Sequence, residues 1–134
     1  MHRRLGFCSL LLVLLLYGVL SAVPQQEPEE LNVRITNGPH IESVTGDSAV
    51  IAWSTNVNAS TVLRYGTSPA QLSLTAETPW GGLTHRVDLQ GLQPNTTYYY
   101  DVESAQGQGT GTSALSKLNQ FKTANSTVAV PVQR

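Results

Sequence analysis

Apolar and polar residues alternate with a period of two along most of the chain. Ala49, Ile51 and Trp53 share one parity against Val50, Ala52 and Ser54. Leu63 and Tyr65 alternate with Val62 and Arg64, and Val87 and Leu89 with Arg86 and Asp88. Successive side chains of a strand point to opposite faces, so this rhythm predicts half-buried strands. No segment carries capped apolar residues at helical spacing, and no helix is expected. Turn signals interrupt the runs at Gly38-Pro39, Gly46-Asp47, Ser68-Pro69, Gly81-Gly82, Pro94-Asn95 and Gly107 to Gly111. The pattern predicts seven strands, over Ile41–Val44, Ala49–Ser54, Thr61–Tyr65, Leu72–Ala76, His85–Leu89, Thr97–Ser104 and Leu118–Thr123. Short strands at this spacing define an all-β sandwich or barrel.

The segment Gly91 to Tyr100, GLQPNTTYYY, carries three of the five tyrosines. On a strand, Tyr98, Tyr100 and Val102 share one face, while Tyr99, Asp101 and Glu103 share the other. The two carboxylates mark the second face as the solvated one, so Tyr98 and Tyr100 point inward and Tyr99 outward. A buried phenol needs a partner for its hydroxyl. The turn just before Tyr98 offers backbone groups for that purpose, the arrangement known as a tyrosine corner.

Leu92-Gln93-Pro94-Asn95-Thr96-Thr97-Tyr98 resembles the L-x-P-x-T-x-Y signature of fibronectin type III domains. Trp53 matches the core tryptophan of that family, and Phe121 with Thr123 resembles its closing strand. More narrowly, Arg64 to Pro69 (RYGTSP), the run THRVDLQGLQPNTTYYYDV and the closing FKT are similar to the N-terminal fibronectin-type domain of purple acid phosphatases and their bacterial relatives. The resemblance implies a seven-stranded immunoglobulin-like sandwich over 37–123. Its core would be built on Trp53, Leu92, Pro94, Tyr98, Tyr100 and Phe121.

The flanks read differently. Residues 1–22 begin with His2, Arg3 and Arg4, continue as an apolar run from Leu5 to Leu20 and end in Ser21-Ala22. That is the form of a secretory signal peptide, with an uncleaved anchor as the alternative. A secreted or periplasmic location follows. Residues 23–36 read as a proline- and glutamate-containing linker, and 124–134 as a C-terminal tail. The single cysteine, Cys8, falls within the leader, so the exported chain is expected to have neither disulfide nor thiolate metal site. Loss of Arg3 and Arg4 with the leader shifts the net charge from −1 to −3, six cations against nine carboxylates. No basic cluster remains, which argues against nucleic acid and against an anionic membrane surface as partners.

Little in the sequence suggests chemistry. The metal-ligand motifs of the phosphatase catalytic domain (D-x-G, G-D-x-x-Y, G-N-H-[ED]) do not occur. His40 and His85 lie on different strands without carboxylates at ligand spacing, and no nucleophile elbow surrounds any serine. His85 shares the parity of Val87 and Leu89 and is expected to face inward. The glycine-rich GQGTG lacks the lysine and following helix of a phosphate loop. No catalytic residue, metal or cofactor is therefore expected. Asn58, Asn95 and Asn125 each begin an N-glycosylation sequon.

Candidate contact residues are Trp80, in the loop TPWGG, the outward Tyr99, and Gly107, Gln108 and Gly109 of the glycine-rich loop. Two functions fit. One is a non-catalytic, monomeric module that binds a protein or a cell-surface carbohydrate partner. The other is a detached or truncated accessory domain of a purple acid phosphatase-like metallophosphatase.

Overall fold

The computed structural model describes residues 32–79, 81–107 and 112–126. The leader, most of the linker, Trp80, Gln108, Gly109 and residues 127–134 lie outside the described residues. The order of elements is β1 (Ile35–Val44), β2 (Ala49–Thr55), β3 (Thr61–Gly66), β4 (Leu74–Thr78), β5 (Thr84–Leu89), β6 (Thr97–Ala105), β7 (Ser113–Leu115) and β8 (Asn119–Lys122). No helix occurs among the described residues. One sheet has the order β1-β2-β5; the other has β4-β3-β6, with β7 and β8 both paired to β6. All these pairings are antiparallel.

The two sheets face each other over one apolar core. Ala49, Ile51, Trp53, Val87 and Leu89 come from the first sheet, and Leu63, Tyr98, Tyr100, Val102 and Phe121 from the second. These are the inward parities of the sequence, because register partners share a face. Strand β2 is buried on both sides. Its outward Val50 and Ala52 are small, and the Arg86–Glu42 ion pair joins the two flanking strands across it, Nε to Oε2 at 2.7 Å.

Three features depart from the expected strand map. The first strand begins at Ile35, two residues inside the expected linker, and Val33 is already buried. Gly38-Pro39 is not a turn but lies within β1, at one of three shifts in its register with β2. Proline has no N–H for a ladder, and an irregular edge strand can accept it. Gly38 sits at φ +81°, and a Cβ there would meet the Ala52 carbonyl oxygen at 2.8 Å.

The fourth strand occupies Leu74–Thr78 rather than Leu72–Ala76. The chain first doubles back through a Ser68–Gln71 bridge, which delays the strand. The closing strand is two pieces rather than one. From the Tyr100–Asn119 pair to the Glu103–Leu115 pair, β6 advances three residues while the closing chain advances four. The extra residue makes a bulge. Ser116 holds it: its N–H donates to the Val102 carbonyl at 2.9 Å, and its hydroxyl accepts the Val102 N–H at 3.0 Å.

Candidate functional site

Tyr98 forms the expected corner. Its ring packs in the core, stacked on Phe121 with centroids 5.6 Å apart, and its hydroxyl accepts the Gln93 N–H at 2.9 Å. A second side chain, missed in the sequence, completes the joint. The buried Thr123 hydroxyl donates to the Gln93 carbonyl at 2.6 Å and accepts the Thr96 N–H at 2.9 Å. Both backbone groups of Gln93 are thus held by side chains from the core and from the closing segment. Pro94 is the correction to the expected core. It is exposed on the turn, followed by Asn95 at φ 49°. Its ring fixes φ at the turn and fills no interior space. Leu92 supplies the apolar contact instead.

The other end of the sandwich holds a buried polar network. Trp53, 1% exposed, donates its indole N–H to the Ser104 hydroxyl at 2.9 Å and stacks on His85 at 5.3 Å. His85 Nε2 lies 2.9 Å from the Thr55 hydroxyl, and Nδ1 lies 2.7 Å from the Thr61 hydroxyl. The Thr55 hydroxyl donates to the Val57 carbonyl at 2.7 Å, so toward His85 it accepts. Nε2 therefore carries the proton, and Nδ1 accepts from Thr61. Burial lowers the pKa of His85, which fits a neutral ring.

Both ring nitrogens are committed, and the side chain is sealed from solvent. His85 is therefore placed neither to ligate a metal nor to act on a substrate. His40 is exposed on β1, in the Ala52–Arg86 row next to that of His85, and is separated from the buried ring by strand β2. Among the described residues, no group of three or more histidine, cysteine or acidic side chains is placed to hold a metal.

The outward residues of β6 lie on the outer face of the β4-β3-β6 sheet. Tyr99 is half-buried there, opposite Gly66 on β3 and Gln120 on β8. Gly66 leaves the space beside the ring free of a side chain, and it has to be glycine. A Cβ would meet the Gln71 carbonyl oxygen at 2.8 Å where the chain turns back.

Two register positions further, on the same face, Arg64 grips Asp101 through two parallel bonds, Nε to Oδ1 at 2.9 Å and Nη2 to Oδ2 at 3.0 Å. The Asp101 contact raises the pKa of Arg64, so the fork stays charged. This pair also went unrecognised in the sequence. Asp101 reads only as a mark of the wet face, and a partner 37 positions away depends on the cross-strand register.

Of the expected contact residues, Tyr99 and Gly107 are the two among the described residues, and they do not converge. Tyr99 lies near the start of β6 and Gly107 beyond its end; the strand from Tyr99 to Ala105 alone spans about 20 Å at 3.3 Å per residue. Gly107 instead borders a shallow cavity of about 300 Å³ with Ser60, Thr61, Val62, Glu77, Thr78 and Ala105.

The fold is that of a fibronectin type III sandwich. Solved structures of this class resemble it at low identity. The fibronectin type III domain of the human KIAA0970 protein superposes with a TM-score of 0.52 at 14% identity, covering 75% of this chain and 79% of that one. The domain from human fibronectin type III domain containing protein 3 gives 0.50 at 13% identity, covering 69% and 87%. No curated protein matches the sequence. The family model for the purple acid phosphatase N-terminal domain matches residues 36–123, and the chain belongs to that family. The match is to the N-terminal domain of these phosphatases.

Proposed function

We propose that the chain is a non-catalytic binding module that works outside the cytoplasm and recognises a partner with the outer face of its β4-β3-β6 sheet. The observation that carries this reading is the row formed by Tyr99 and the Arg64–Asp101 fork. The pair fixes a planar guanidinium beside an accessible aromatic ring, and the ladder beneath holds both rigid. Rigid aromatic and arginine side chains make effective contact groups because little rotamer freedom is lost on binding. The buried polar side chains, by contrast, are spent on one another and on the backbone. Trp80 joins the reading through its residue type alone.

The test is capture of a binding partner from the extracytoplasmic fraction by the purified chain, repeated with Tyr99→Ala and Trp80→Ala. Loss of capture by the folded Tyr99 variant supports the face. Undiminished capture by that variant removes it from the account.

A second reading is favoured by the family match alone. In it the chain is an accessory domain that positions a separate metallophosphatase. Metal-ligand motifs in an adjoining reading frame, and binding of its product to this chain, would support that reading over the first.

A further inference from the structure

We propose that the chain self-associates through the free edge of β5, which pairs antiparallel with β5 of a second copy about a two-fold axis at Val87. Edge strands present unpaired backbone groups, and proteins usually blunt them with bulges or proline. Two edges of this sandwich are blunted that way. Strand β1 carries three register shifts and Pro39, and the closing strand is broken between β7 and β8. Strand β5 is different. All six of its residues pair with β2 without a shift, and it lies at the margin of its sheet. Among the described residues, no backbone bond joins its other side to another segment.

The charges on β5 suit a second copy. Arg86 and Asp88 share the outward face, two residues apart on either side of Val87. An antiparallel pairing centred on Val87 sets Arg86 of each copy opposite Asp88 of the other, giving two cross-strand ion pairs. Moving the centre by one residue sets Arg86 against Arg86, or Asp88 against Asp88. Opposite charges across a ladder stabilise and like charges destabilise, so the pattern selects one register.

Both side chains also have contacts within the chain. Arg86 Nε donates to Glu42, and Asp88 Oδ1 accepts from Gln90 at 2.6 Å. The Arg86 Nη groups and Asp88 Oδ2 remain for the second copy, and the Arg86 side chain is 64% exposed. Two leucines add apolar surface on this side of the sandwich. Leu83, 50% exposed, directly precedes β5, and Leu74, 47% exposed, lies on the neighbouring edge strand β4.

The experiment is sedimentation velocity on the purified chain over a concentration series, with Arg86→Asp and Asp88→Arg made separately. The parent is expected to dimerise, more weakly as salt is raised. Each variant turns both cross-strand pairs repulsive and is expected to weaken the dimer by about tenfold or more. An equal mixture of the two variants restores opposite charges at both positions and is expected to recover the dimer. Asp88→Arg leaves the Glu42 contact intact, and serves alone if Arg86→Asp does not fold. A parent that stays monomeric, a folded Asp88→Arg variant that dimerises as the parent does, or a mixture that stays monomeric would each overturn the proposal.

Discussion

The Gln93 N–H donates to the Tyr98 hydroxyl at 2.9 Å, five residues ahead along the chain. That bond ties the crossover between the sheets to the ring that fills the core beneath it. We predict that Tyr98→Phe lowers stability by about 1–2 kcal/mol, because the ring is kept while the Gln93 N–H loses its acceptor. Thr123→Val should cost a similar amount, since it frees the Gln93 carbonyl and the Thr96 N–H. Urea unfolding midpoints measure both. Unchanged midpoints would mean that the corner is held by packing alone.

The inner faces of β2, β3, β5 and β6 were legible in the sequence because alternation is a local signal and each strand carries its own copy of it. The corner was legible because its turn and its tyrosine lie within one short motif. What was missed depends on contacts distant in sequence. The bulge at Ser116 cannot be read from SKLN, since it exists only against the register of β6. Thr123 reads as the end of a strand until Gln93 is brought beside it. Gly38-Pro39 has the composition of a turn, yet β2 draws it into a ladder.

Trp53 and Ser104 form a buried pair whose two halves should be strongly coupled. Ser104→Ala leaves the indole N–H without an acceptor and is expected to cost about 1–3 kcal/mol. In Trp53→Phe the donor is already gone, so adding Ser104→Ala should cost clearly less. A double-mutant cycle gives the coupling. Simple additivity would show that the bond contributes nothing beyond packing.

His85 makes stability depend on pH. Burial holds its folded pKa below the ordinary value of 6.5, so between the two values the unfolded chain binds the extra proton. Stability should be complete above about pH 6.5, fall as the pH drops below it, and level off for this group once the folded pKa is passed. His85→Gln should be less stable at neutral pH and should lack that part of the slope. Denaturant midpoints at pH 7.5 and 5.5, about one unit either side of the ordinary value, resolve it. An equal loss in both proteins would assign the effect to other groups.

Arg64→Ala and Tyr99→Ala should leave the fold intact. Arg64 is more than a third exposed, so its pair with Asp101 stabilises the fold by less than about 1 kcal/mol. Tyr99 packs on the outer surface only. Thermal midpoints within a few degrees of the parent are expected for both. A large loss would show that this face is structural and not free for recognition.

The claim that this domain binds rather than catalyses is met most directly by assaying the purified chain for hydrolysis of a chromogenic phosphate monoester, with and without added divalent iron, zinc or manganese. The account predicts the buffer rate under every condition. Turnover that follows the protein through purification and is lost on chelation would contradict it.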